Sequence, residues 1–250
     1  MAFFSRLIRK CARAAQLLEN PRLISLRRRG GSVDIYLELD HDWFHELCLK
    51  TVLDIGANTG QFALGIRALL PDVRIVSFEP LPDCFAELQR RTQGDARFAA
   101  YNLGLGDTNG DVTIERNEFS PASSFLPLSA SHKAAFAFAQ RTVPVVVKIA
   151  KLDDLAGSLA LAPPYMVKID VQGFEDRVIR GGEQTLRKAE LLLVEMSYEA
   201  LYTGQPLFND VYAQILQMGF EFRGMLSQLH CPLTGKLLQG DGIFVKIKRS

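Results

Sequence analysis

The chain has 250 residues, 48% of them apolar, and a formal net charge of +1. That length buries one sizeable core without demanding a second large domain. Its four cysteines, Cys11, Cys48, Cys84 and Cys231, are far apart and form no CxxC pair, which excludes a structural zinc site and a disulfide framework and fits the reduced thiols of a cytoplasm.

In chain order, the first 30 residues hold eight basic side chains (Arg6, Arg9, Lys10, Arg13, Arg22, Arg27, Arg28 and Arg29) against one acid, Glu19, so this segment carries +7 and the remainder −6. Phe4, Leu7, Ile8, Cys11, Ala14, Ala15 and Leu18 recur within it at helical spacing. A basic amphipathic extension over 1–30 is expected, packed on its own domain or a partner subunit, or lying peripherally on the anionic inner face of a membrane. Arginines interrupt the apolar residues, so the segment is neither a signal peptide nor a membrane span.

Residues 33–39 alternate apolar and polar side chains and predict a short strand, followed by a helix over 41–49. Strand and helix then alternate: strands at 52–55, 74–78 and 97–102, with helices at 61–70 and 82–91 between them. The rhythm breaks near 107–155, read as a substrate-facing insertion with strands at 111–115 and 143–149. It resumes with strand 165–170, helix 175–187, strand 191–196 and helix 207–217, and ends in strands 220–224 and 242–248. The prediction is a domain over 31–250 of the α/β class, with a mainly parallel, doubly wound sheet. Its last two strands follow each other without a helical crossover and should pair as an antiparallel hairpin.

The first strand runs into Asp54-Ile55-Gly56-Ala57-Asn58-Thr59-Gly60, a turn of small residues where a helix begins, as in a nucleotide-cofactor loop. Asn58 replaces the second glycine that lets a backbone approach a pyrophosphate, which favours S-adenosylmethionine over a dinucleotide. Glu79 ends the next strand and can accept both hydroxyls of an unphosphorylated ribose. After the third strand, Leu103 and Asp107 lie at the carboxyl end of the sheet, where the ligand crevice belongs. The backbone near Leu103 would frame adenine there, and a plain turn before the hairpin signal Asn109-Gly110 reads equally well.

The run Val167-Lys168-Ile169-Asp170-Val171-Gln172-Gly173-Phe174-Glu175 puts charged and amide groups at a strand's exit. Asp170 can orient an acceptor hydroxyl, deprotonate it or hold a divalent metal. Gln172 can position but not act as a base, and Glu175 can cap the next helix or join the site. Lys168 reads as a side chain snorkelling to solvent or pairing with an acid. Glu195 follows the apolar run 191–194 and should reach the same crevice, as a catalyst or as a structural hydrogen-bond acceptor. Tyr198 and Tyr202 beyond it, with Ser123 and Ser124 in the insertion, offer flat faces and hydroxyls for a sugar; His132 reads as a surface residue. His41 and His45 lack a third ligand, and Cys84 reads as a small buried hydrophobe. No GxSxG, HExxH or P-loop pattern occurs, and nucleic-acid binding lacks its interleaved aromatic and basic residues, so no nucleic-acid partner is expected.

Together these segments resemble the FkbM-type methyltransferase family, which shares the 52–60 loop, Phe78-Glu79-Pro80, Leu152-Asp153-Asp154-Leu155 and Lys168-Ile169-Asp170-Val171-x-Gly173-x-Glu175. The resemblance covers roughly 50–248 and leaves the basic extension outside. It implies a Rossmann-like class I methyltransferase fold and S-adenosylmethionine-dependent O-methylation of a hydroxyl on a sugar, in a glycolipid, another glycan or a secondary metabolite. Carried over by position, Asp54, Gly56, Ala57, Asn58, Gly60 and Glu79 hold the cofactor. Asp170 is the first candidate for the base and Glu195 the second. Position 172, often Glu in the family, is Gln172 here. A metal requirement and homo-oligomer formation stay open. Two alternatives carry less weight: an NAD-linked sugar oxidoreductase, which lacks its Tyr-x-x-x-Lys pair, and a non-catalytic cofactor-binding module of a membrane complex.

Overall fold

The computed structural model describes residues 20–117, 125–126, 142–231 and 233–247. Ten strands are present among them: β1 (Thr51–Ile55), β2 (Arg74–Phe78), β3 (Phe98–Tyr101), β4 (Gly104–Leu105), β5 (Gly110–Asn117), β6 (Thr142–Ala150), β7 (Tyr165–Ile169), β8 (Leu191–Ser197), β9 (Phe220–His230) and β10 (Leu237–Lys246). Seven form one sheet in the order β3-β2-β1-β7-β8-β10-β9, and β4-β6-β5 form a second. In the large sheet β3, β2, β1, β7 and β8 are mutually parallel, while β10 runs antiparallel to both β8 and β9. This is the Rossmann-like class I methyltransferase arrangement, with the antiparallel hairpin expected at its end.

The apolar runs exist because the central strands are covered on both faces. Their two-residue period sends Leu53, Ile55, Val167, Ile169, Leu192 and Val194 into one core with Val178, Leu186, Val211 and Ile215 of the later helices. Val52, Ile75, Met166, Leu191 and Leu193 meet Leu23, Tyr36, Leu39, Phe44 and Ile66 on the other face. The order reverses between β1 and β7, which turn to opposite sides of the sheet. Such a switch point opens a crevice at the strands' carboxyl ends. The β1 exit loop and the β7 exit loop therefore face each other.

Three sequence expectations fail locally. Residues Val33–Leu39 form a helix, because the Ser32 hydroxyl caps it by accepting from Ile35 N at 3.2 Å and the helix finds the helix Gln61–Leu69 to pack on. In seven residues the apolar alternation also fits a helical stripe, and Tyr36 and Leu39 are the side chains buried. The helix expected over 41–49 shortens to Asp42–His45, with Cys48 at φ +49 turning the chain into β1. The helix expected over 175–187 breaks into Glu175–Gly181 and Glu183–Leu186 about Gly182.

Gly181 shows how closely these layers approach. A Cβ there would stand 1.8 Å from the carbonyl oxygen of Gly106, at the end of the β4 loop. Gly181→Ala is expected to cost about 2 kcal/mol or more through this forced separation, measured as a lower urea midpoint at unchanged slope.

Candidate active site

The loop after β1 is built by backbone geometry. β1 ends at Ile55, and Gly56, Asn58 and Gly60 take φ values of +78, +49 and +88 before the helix Gln61–Leu69 begins. Gly56 passes so close to the β7 exit that a Cβ would lie 1.8 Å from the Asp170 carbonyl oxygen. Only glycine combines that approach with that dihedral. Gly56 N and Ala57 N donate to Phe78 O, which hangs the loop on the end of β2.

Glu79 completes the loop. Its Oε2 accepts from Asn58 N at 2.8 Å and its Oε1 from Leu81 N at 2.9 Å. Burial raises its carboxyl to about 7, against the pull of those two N–H donors. Each oxygen keeps acceptor capacity, and the side chain lines a cavity of about 310 Å³ with Gly56, Ala57, Asn58, Leu103 and Gly104. These residues fit a nucleoside: an acid for the ribose diol, exposed backbone for the polar tail and a Leu-Gly edge for a flat base. Asp107 turns elsewhere, pairing with Arg180 at 3.1 Å, and is not among the cavity's lining residues.

The β7 exit also lines the cavity. The register sets Asp54 beside Ser77 on one side and Lys168 on the other, all on one face. The buried Lys168 ammonium donates to Gly56 O at 2.8 Å and lies 3.3 Å from both Asp54 Oδ1 and Asp170 Oδ2. Burial alone would lower its pKa, but the carboxylates of Asp170 and Asp54 outweigh it and hold Lys168 above the ordinary lysine value. Burial raises Asp54, with Lys168 opposing. Of the two expectations for Lys168, pairing with an acid is the one realised.

Asp170 lines the cavity together with Gln172 and Asp241. Gln172, at φ +55, donates through Nε2 to Asp170 Oδ1 at 2.9 Å and to Glu195 Oε2 at 2.7 Å, while its Oε1 accepts from the Tyr202 hydroxyl at 3.0 Å. Reversing the amide would set its oxygen against two carboxylates, so these contacts fix its orientation. Glu195 also accepts from Gln239 Nε2 at 3.0 Å and sits behind Gln172. Burial, then the charges of Asp170, Asp241 and Glu175, push its carboxyl well above the ordinary range.

Glu175 is buried and turned to the backbone, where Oε1 accepts from Val171 N at 3.2 Å and Gly173 N at 3.0 Å, shaping the loop that carries Gln172. Burial raises it to about 7. Tyr202 is buried against Gln172, and Tyr198 stacks on Phe208 at 5.1 Å, outside the cavity lining. Ser123, Ser124 and His132 lie outside the described residues.

Sequence reasoning missed Asp241, which lines the cavity, lies opposite Glu195 in the β8–β10 register and accepts from the Ser227 hydroxyl. It also missed Ser32, Ile35 and Phe62, which bring the N-terminal helices to the wall. An acid amid the apolar terminal strand, in the segment Asp241-Gly242-Ile243-Phe244-Val245 that resembles the family, was a signal for Asp241 that was given no role. Among the described residues no group of three or more His, Cys, Asp or Glu is arranged to hold a metal ion.

The family profile of the Methyltransferase FkbM domain matches residues 54–222. The chain belongs to the FkbM methyltransferase family. This FkbM-family chain is 29% identical over 160 residues to the 2-O-methyltransferase NoeI of Sinorhizobium fredii, covering 62% of this chain and 66% of that one. It is 26% identical over 144 residues to the hexuronic acid methyltransferase AglP of Haloferax volcanii, covering 57% and 54%. The chain thus spans between about half and just under two thirds of these relatives' lengths. A solved precorrin-6y C5,15-methyltransferase from Geobacter metallireducens GS-15 superposes with a TM-score of 0.44 at 9% identity, over 81% of this chain and 84% of that one. At that score the likeness adds nothing to the strand order.

Two predictions follow from this geometry. The hydroxyls of a bound ribose would donate to the ionised form of Glu79, so affinity for S-adenosylhomocysteine should rise with pH through about 7, by about tenfold between pH 6 and pH 8. Calorimetry at the two pH values should show that change, and Glu79→Gln should bind weakly and without it. Lys168→Met leaves two carboxylates without their cation and should lose about 3–5 kcal/mol of stability in urea.

Proposed function

We propose that the chain is an S-adenosylmethionine-dependent O-methyltransferase acting on a hydroxyl of a sugar, in a glycolipid, another glycan or a secondary metabolite. One observation carries this reading: Glu79 and Asp170 line the same cavity, each just past a strand that flanks β1, whose exit loop Gly56–Asn58 also lines it. Membership of the FkbM family supports methyl transfer, and the names of NoeI and AglP support a sugar hydroxyl as acceptor.

S-adenosylmethionine would supply a methyl group already activated on its sulfonium, held by Glu79 and by the backbone and side chains of Gly56, Ala57 and Asn58. The chain must then align the acceptor oxygen and take its proton. Glu79, Asp170 and Asp241 all line the cavity; Glu79 is given to the cofactor and Asp241 accepts from the Ser227 hydroxyl, and Asp170 is the base in this reading. Glu195 acts one step behind it: held by Gln239, it joins Tyr202 in fixing Gln172, which fixes Asp170 Oδ1. Glu175 acts on the same loop through the backbone.

Calorimetry with S-adenosylhomocysteine and, separately, NAD tests the cofactor assignment. The expected result is micromolar binding of the first, about −8 kcal/mol, and none of the second; binding of NAD alone would overturn the reading. Asp170→Asn should keep S-adenosylhomocysteine affinity and lose turnover on a sugar acceptor with its hydroxyl free by about 10²-fold or more. Unimpaired turnover would remove Asp170 as the base.

A further inference from the structure

The helix Pro21–Arg28 lies against the helix Gln61–Leu69, and a hollow of about 200 Å³ opens between them that shares no lining residue with the cofactor cavity. Arg22, Ser25 and Arg29 line it from one helix and its cap, and Arg67 from the other, over the apolar Leu26 and Leu64. Positions 22, 25 and 29 fall on one helical stripe. No carboxylate lines the hollow. Arg22 and Arg29 are exposed, whereas Arg67 is held rigidly: its Nε donates to Asp95 at 2.6 Å and its Nη1 to Pro71 O at 2.8 Å and Val73 O at 2.7 Å. Its Nη2 is buried and has no hydrogen-bond partner among the described residues. Three guanidinium groups and a hydroxyl match the oxygens of a phosphate.

We propose that this hollow binds the phosphate of an anionic phospholipid and seats the chain on a membrane surface. A free phosphate would use the hollow alone. A bilayer also uses the exposed Arg27 and Arg28 on the same helix. The +7 of the first 30 residues is the charge pattern of a surface-bound segment. No described helix is long and apolar enough to cross a membrane, so contact of the described part would be peripheral.

The test is co-sedimentation of the full chain with phosphatidylcholine vesicles, with and without phosphatidylglycerol at about 30%. Binding is expected only with the anionic lipid, at roughly 0.1 M salt and not at roughly 0.5 M. Arg22→Gln with Arg29→Gln should weaken it roughly 30-fold at unchanged melting temperature. Ser25→Asp, which places a carboxylate in the hollow, should also weaken it and serves if the double variant fails to fold. Wild-type binding by both variants would mean the preceding segment suffices and would overturn the site. So would no vesicle binding, calorimetric binding of inorganic phosphate without vesicle binding, or a preference for duplex DNA over vesicles.

Discussion

One buried ammonium ties the two halves of the site together. Lys168 reaches from the middle of the sheet to the Gly56 carbonyl in the cofactor loop and to the carboxylates of Asp54 and Asp170. Placing a cation there is costly unless its charge is matched and its protons are bonded, and these three acceptors do both. The loop on β1 and the acid on β7 are thereby positioned by the same group, so neither can shift without disturbing the other. The close passage of Gly56 over the Asp170 carbonyl makes the coupling steric as well as electrostatic.

The parts of this architecture that depend on short-range pattern were readable. The two-residue period of the apolar strands, the turn at Gly56–Gly60 and the helix-free step between β9 and β10 are local features. The expected parallel sheet with an antiparallel end follows from them. Where the pattern is short it fails, as at Val33–Leu39, whose alternation fits either period until the Ser32 cap and the neighbouring helix decide it. Gly182 likewise splits a helix that apolar spacing alone makes continuous.

The site was legible in its members and not in its wiring. Glu79, Asp170, Gln172 and Glu195 all stand at strand ends or just beyond, where carboxylates and amides are out of place in a core. Lys168 read as a surface or paired side chain because Gly56, which it bonds, lies 112 residues away in sequence, and only the β1–β7 register brings them together. Asp241 gained no role for the same reason, since its match to Glu195 is an antiparallel pairing that local sequence does not show. Tyr202 and Glu175, expected against the acceptor, instead brace the β7 loop, and local sequence cannot distinguish a side chain facing a crevice from one facing its own backbone.

Gln172 has a further meaning for how such a site keeps its shape. A carboxylate at that position would need a shared proton to bridge Asp170 and Glu195, and the bridge would come and go as the surroundings turned acid or alkaline. The amide has fixed donors on one end and a fixed acceptor on the other, and no proton to gain or lose. The spacing of the two acids is thus set by a strut whose length does not titrate, in the part of the molecule where charge is most tightly crowded.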